Sequence, residues 1–394
     1  MKIKSLKNKF FAGLLALTLC TGTFTTIAHA NPGEAKPVNL QIKKVLNMPE
    51  TGVTTPNYEY KFVFTKHSLN RDEGKKNELP DINTVNINGF AATMTTDADS
   101  AKAGRQVTKN SSNILDGVTF TKSGQYTYTV SEIDDNKDGM TYSKASYTVS
   151  IFVENKGGIY IPTSVQIAKT KDDKGTVVPS PAKQEYTPDG GTSKNNFVFN
   201  NNYDPKTGND NPSGKEITDA DKKGFVLKKE IAGATPNLDE AFKFNVTATK
   251  PKGSNSDATT FKYKIVGQDG TAGEEKTGKY DEAFDVTLKH GERVVFSDVL
   301  LGTTVKAEET VDGGYTKSIK SGSKINGTVV TVDNLKNGLA IGDNADGNSV
   351  VFVNTQQTAT GIILNNLPFI AIVLVAGLGI FFFVKNRREE EAEA

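Results

Sequence analysis

Apolar side chains in this chain return at every second residue. Tyr58, Tyr60, Phe62 and Phe64 alternate with other residues, as do Tyr126, Tyr128 and Val130, and then Tyr147, Val149, Ile151 and Val153. A second series follows in Phe242, Phe244 and Val246, in Phe261, Tyr263 and Ile265, and in Phe284, Val286 and Leu288. A period of two gathers each set on one face of a strand. Turn chemistry at Asn136–Gly139, His290-Gly291 and Gly313-Gly314 separates the runs. Between the two ends, no segment long enough for a globular helix carries a 3.6-residue stripe. The expected fold class is therefore all-β, with many short strands packed as sandwiches.

The ends read differently. Lys2, Lys4, Lys7 and Lys9 precede the mostly apolar Phe10–Leu19, and Ala28-His29-Ala30 supplies an A-x-A cleavage site, so residues 1–30 read as a secretory signal peptide. The only cysteine, Cys20, lies inside it, and Leu19 is too large for a lipoprotein acylation site. An exported chain without cysteine must draw stability from a large core or from a cross-link other than a disulfide.

At the far end, Leu367–Val384 is apolar and long enough to span a bilayer, and Lys385-Asn386-Arg387-Arg388 would hold its end inside the cell. Gln357-Thr358-Ala359-Thr360-Gly361 stands just ahead. The three-part layout of residues 357–394 resembles the cell-wall sorting signal read by sortases in Gram-positive bacteria. That resemblance implies cleavage between Thr360 and Gly361, with Thr360 passed to an amine. Gln and Thr in place of Leu and Pro resemble the variants used by pilus sortases. Met48-Pro49-Glu50-Thr51-Gly52 looks closer to the common motif, but no apolar span follows, so it reads as a turn.

Without the signal and the tail, residues 31–360 hold 40 basic and 42 acidic side chains and no long basic block. Nucleic acid and anionic membrane are not expected partners. Pro205–Asp221 is polar and rich in Gly, Asn and Asp, as a linker would be. The expected domains are 38–203 and 223–356, joined by 204–222. Each opens on a lysine-bearing strand and closes on a strand ending in asparagine.

Strand parity singles out two triplets. Leu40, Ile42, Lys44 and Leu46 share a face; Tyr126, Tyr128 and Val130 lead to Glu132; Phe197 and Phe199 lead to Asn201. In the second half Phe225, Leu227, Lys229 and Ile231 are co-facial, Val305 and Ala307 lead to Glu309, and Val350 and Phe352 lead to Asn354. Parity favours Glu309 over Glu308 and Lys229 over Lys228. Unpaired buried charge is costly, so each triplet needs an explanation. Residue types alone favour a buried Lys–Glu ion pair with a hydrogen-bonded Asn. The chemical alternative starts from a lysine neutralised by burial. Its amine would attack the asparagine Cγ, while a protonated Glu carboxyl polarises the amide oxygen, leaving an isopeptide bond.

The stretches G-Q-Y-T-Y-T-V-S-E (124–132), Y-T-V-S-I-F-V (147–153) and F-N-N (199–201) resemble the first domain of streptococcal major backbone pilins of the T-antigen type. Residues 286–309 and F-V-N (352–354) resemble their second domain. The resemblance implies two tandem immunoglobulin-like sandwiches of the inverse, collagen-adhesin B type. It also implies self-formed Lys44–Asn201 and Lys229–Asn354 bonds promoted by Glu132 and Glu309. The family's polymerisation lysine sits seven residues before the reactive asparagine, the place of Lys194, which parity puts on the solvent face; Lys206 is the rival. The implied protein is a structural subunit of a surface pilus, not a turnover enzyme. Its partners would be identical subunits, a pilus-specific sortase, minor tip and basal pilins, and peptidoglycan. The precursor would sit in the plasma membrane. The alternative is a monomeric wall-anchored adhesin built from the same domains.

No cofactor is expected. Asp134, Asn136, Asp138 and Gly139 begin like a calcium loop, but Ala145 stands where the twelfth-position Glu belongs. His67 and His290 have no ligand-spaced partners, so no metal site is expected.

Overall fold

The alternating runs become strands in the computed structural model, which describes residues 38–90, 104–186, 196–207, 224–311, 314–357 and 359–393. Residues 1–30, Lys194 and most of the 204–222 stretch lie outside the described residues. The first half contains β1 (Lys43–Met48), β2 (Tyr60–Leu69), β3 (Val85–Ile87), β4 (Arg105–Asn110), β5 (Gly124–Glu132), β6 (Met140–Thr141), β7 (Ser146–Lys156), β8 (Ile159–Lys171), β9 (Gln184–Glu185) and β10 (Val198–Tyr203). They form two sheets, ordered β4-β1-β10-β6 and β3-β2-β5-β7-β8-β9. The inward-facing aromatics Tyr60, Phe62, Tyr126, Tyr128, Tyr147, Phe197 and Phe199 meet in one core. Leu40 and Ile42 are buried as anticipated, but they precede β1 and are tied instead to the segment after β4, where Ser111 N–H donates to Ile42 O and Ile114 N–H to Leu40 O.

The second half continues with β11 (Phe225–Ala232), β12 (Phe242–Thr249), β13 (Thr260–Val266), β14 (Lys276–Lys279), β15 (Ala283–Leu288), β16 (Arg293–Ser297), β17 (Thr304–Thr310), β18 (Tyr315–Ile319), β19 (Lys324–Ile325), β20 (Thr328–Val329), β21 (Leu339–Ala340) and β22 (Asn348–Gln356). One sheet runs β14-β13-β16-β11-β22-β19-β20, with β18 also on β22, and it faces β15-β12-β17-β21. Their apolar faces enclose a second core. The architecture is two tandem immunoglobulin-like sandwiches.

In both halves the first and last long strands are parallel neighbours: β1 on β10, and β11 on β22. Parallel neighbours cannot be joined by a hairpin, so the rest of each sandwich is threaded between them.

The Pro49–Gly52 turn packs against the second half. Glu50 N–H donates to Lys252 O, Asp343 N–H donates to Gly52 O, and Thr54 donates its N–H and hydroxyl to the Asp343 carboxylate at 2.6 and 2.9 Å. Gly52 has φ +80°, and a Cβ there would come within 2.4 Å of Ile341 O, so only glycine fits. After β22, residues Ala359–Glu393 form a single helix whose Leu367–Lys385 stretch is exposed and apolar, as a transmembrane segment would be. Thr360 and Gly361 lie in its opening turn.

Candidate functional site

The register of the parallel pairs sets the two sites. Lys44 lies opposite Phe199 and Leu46 opposite Asn201; Lys229 lies opposite Phe352 and Ile231 opposite Asn354. Each lysine thus trails its asparagine by two positions on the adjacent strand, and two positions return to the same face. The glutamate comes across the core from the facing sheet, Glu132 on β5 and Glu309 on β17. Two independent stretches of chain reproduce one arrangement.

In the first cluster the Lys44 and Glu132 side chains are wholly buried, with Nζ 2.8 Å from both carboxylate oxygens. Asn201 Nδ2 donates to Glu132 Oε1 at 3.0 Å, so one oxygen holds both the amine and the amide nitrogen. Asn201 Oδ1 accepts from Ser143 N–H at 2.7 Å. The rings of Tyr60 and Phe62 lie 4.9 and 5.9 Å from the amine. In the second cluster Lys229 Nζ is 2.6 Å from Glu309 Oε1, and Asn354 Nδ2 donates to that same oxygen at 2.9 Å. Phe242 and Phe244 take the places of Tyr60 and Phe62, at 4.3 and 6.0 Å. The neighbours weighed in the sequence sit outside: Lys228 pairs with Glu230, and the exposed Glu308 pairs with Lys336.

Burial dominates the electrostatics. Desolvation pulls the Lys44 amine down to about 8, even though the charge of Glu132 and its hydrogen bond pull the other way. It pushes the Glu132 carboxyl up against the opposing pull of Lys44. Lys229 comes down to about 8 and Glu309 goes up for the same reason. Both partners therefore move toward their neutral forms. Such a pair can pass a proton from amine to carboxylate and expose a nucleophilic nitrogen beside a carboxamide.

The glutamate does not meet the asparagine oxygen, where a carboxyl polarising the amide is expected. In both clusters it lies on the amide nitrogen instead, and in the first the oxygen is taken by the Ser143 amide. A carboxylate accepts hydrogen bonds, and the amide offers its donors on nitrogen. Ser143 was not anticipated, nor was Asp173, which accepts from Ser143 Oγ at 2.6 Å and from Asn200 N–H at 2.9 Å. Both stand in connecting segments where no periodicity points to them. Tyr60, Phe62, Phe242 and Phe244 were legible as core residues only.

Residues 40–204 match a family described as Spy0128-like isopeptide containing domain, and residues 223–356 match a domain of unknown function (DUF7601). The chain is also 23% identical over 353 residues to a Streptococcus pyogenes serotype M1 protein described as a pilin, spanning 88% of this chain and 90% of that one. Residues 40–204 thus carry a domain of the isopeptide-containing type, and the chain as a whole is similar to a streptococcal pilin. Solved structures similar to this chain include the major pilin from Streptococcus pyogenes (19% identity, TM-score 0.32, 80% of this chain and 98% of that one). Another is the T3.2 major pilin of serotype GAS13637 (20% identity, TM-score 0.32, 81% and 97%).

Lys194 lies outside the described residues. Its rival Lys206 is engaged, with its Nζ 2.8 Å from Asp298 Oδ1 and its backbone bridged to Leu300.

Proposed function

We propose that this protein is a pilin, the backbone subunit of a covalent surface pilus, and that each sandwich is closed by a self-formed isopeptide bond, Lys44–Asn201 and Lys229–Asn354. The observation that carries the reading is the repetition of one buried Lys–Glu–Asn arrangement at one strand register in both halves. In the reaction Glu132 takes a proton from Lys44, the freed amine attacks Asn201 Cγ, and the Cγ–Nδ2 bond breaks. Glu132 returns that proton to the leaving nitrogen, which departs as ammonia, and takes the second lysine proton. Glu309 serves Lys229 and Asn354 in the same way. No cofactor enters. The domains are 38–203 and 223–356, joined by 204–222, behind the cleaved signal 1–30.

The sorting segment 357–394 would be cut between Thr360 and Gly361 by a pilus-specific sortase, and Thr360 joined to Lys194 of the next subunit. Minor tip and basal pilins and peptidoglycan would complete the assembly, with the precursor held in the plasma membrane. Lys194 is preferred to Lys206 because it stands seven residues before Asn201, the place of the polymerisation lysine in the pilins this chain resembles.

Expressed with its sortase, the wild type is expected to give a ladder of SDS-resistant multimers, and Lys194→Ala only monomer. A ladder that survives Lys194→Ala but vanishes with Lys206→Ala would move the acceptor site. Monomer alone in the wild type would favour a wall-anchored adhesin.

A pH profile tests the shared-proton chemistry. The reactive neutral pair, amine beside protonated carboxyl, holds the same number of protons as the ion pair. Linkage should therefore be insensitive to pH while that proton is kept. It should fall about tenfold per unit above pH 8, where the pair loses the proton needed by the leaving nitrogen. Intact mass after acid quenching of newly synthesised protein would follow it. A rate that climbs through pH 9 would mean that a free amine suffices and Glu132 carries no proton.

A further inference from the structure

Asp173 joins two segments on which the first cluster depends. Its Oδ1 accepts both the Ser143 hydroxyl, at 2.6 Å, and the Asn200 N–H, at 2.9 Å, while Oδ2 accepts Asn200 Nδ2 at 3.0 Å. Its backbone oxygen takes Lys144 N–H, and Ser143 Oγ in turn accepts from Ala145 N–H. Lys169 Nζ, 3.2 Å from Oδ2, balances the charge. The segment between β6 and β7 is thereby tied to β10 at the residue beside the reactive asparagine. The tie leaves Ser143 N–H aimed at Asn201 Oδ1 from 2.7 Å.

We propose that Asp173 is a positioning residue for isopeptide formation, holding the Ser143 amide as the donor that receives the negative charge developing on Asn201 Oδ1. The inference rests on the linkage chemistry proposed above. Attack on a carboxamide moves charge onto its oxygen, and a fixed backbone N–H there is the kind of donor that stabilises it without reorganising. Neither Lys44 nor Glu132 supplies that donor, since both groups gather on the nitrogen side of the amide.

The second cluster is the internal comparison. Asn354 Oδ1 is buried and accepts no hydrogen bond among the described residues. The two bonds should therefore form in order, Lys44–Asn201 before Lys229–Asn354. Loss of a single oxyanion donor slows acyl-transfer enzymes by about 10²–10³-fold. Loosening rather than deleting the donor should cost less, about tenfold.

The experiment follows both bonds after a pulse of cell-free synthesis of residues 31–360, with acid quenching, intact mass and tryptic mapping of the two linked peptides. Asp173→Ala is expected to slow the Lys44–Asn201 bond about tenfold and leave Lys229–Asn354 at the wild-type rate. Asp173→Asn keeps an oxygen for both Ser143 Oγ and Asn200 N–H while setting an NH2 against Asn200 Nδ2 and Lys169 Nζ, and is expected to link faster than Asp173→Ala but short of the wild type; a role in charge alone would leave the two variants equally slow. Should Asp173→Ala fail to fold, Ser143→Ala removes only the hydroxyl arm of the tie while keeping the N–H, and should slow the same bond. Folded Asp173→Ala linking at the wild-type rate would overturn the inference and leave the linkage chemistry standing. No linked peptide in the wild type would remove the chemistry itself.

Discussion

Glu132→Ala is expected to leave Lys44 and Asn201 as separate side chains in a folded but much weakened first sandwich. The wild-type ectodomain should weigh about 34 Da less than its sequence, one ammonia for each bond, and the variant should regain about 17 Da after correction for the substitution. A cross-link closing a loop of more than about 100 residues stabilises by roughly 5 kcal/mol in the chain-entropy picture. Its loss should lower the melting temperature by roughly 10–20 °C for a domain of this size. A buried ion pair without linkage would also suffer from Glu132→Ala, because an unpaired charge is left in the core. The decisive companion is Lys44→Met with Glu132→Leu, which replaces both charges by apolar groups. An ion pair so replaced is typically neutral or gains about 1–4 kcal/mol. A linked domain so replaced still loses its bond and its roughly 5 kcal/mol. A double variant as stable as the wild type, together with a wild-type mass equal to the sequence mass, would end the linkage reading.

How far the sequence reached follows from where periodicity operates. A strand buried on one face writes its inward residues at every second position, so a lysine, a glutamate or an asparagine on that face betrays itself by parity. Parity also separates Glu309 from Glu308, and the structure has Glu309 buried against Lys229 while Glu308 lies outside on Lys336. Parity cannot say how an amide is turned. The side of the Asn201 amide facing Glu132 depends on which donors surround it, and one of them, Ser143 N–H, comes from a segment with no repeating pattern. Asp173 was illegible for the same reason, since its partners lie 27 and 30 residues away and meet it through a turn. The Pro49–Gly52 turn was legible as a turn, but its packing against Ile341 and Asp343 needs the second half of the chain to be in place.

Force measured along the polymer's own path separates the duties of the two bonds. If tension enters at Lys194 and leaves at Thr360, it runs through residues 194–201, the connecting segment, and then the second sandwich. Residues 229–354 lie in that path, and the Lys229–Asn354 bond takes them out of it. With the bond intact, pulling should lengthen only residues outside the loop. Glu309→Ala puts about 125 residues back under load, and at 3.3–3.6 Å per residue their unfolding should add roughly 400 Å of contour. The first sandwich is loaded differently. Most of it precedes Lys194 in the chain and never carries tension, so Glu132→Ala should add little contour length on this path. Its bond instead keeps β10 from being peeled away from β1, and the variant should show loss of the first sandwich at lower force. Tethering through residues 38 and 356 reverses the comparison, because the loop from Lys44 to Asn201 then lies in the path and Glu132→Ala should give the longer extension. Equal extensions for wild type and Glu309→Ala between residues 194 and 360 would mean that no covalent shortcut spans the second sandwich.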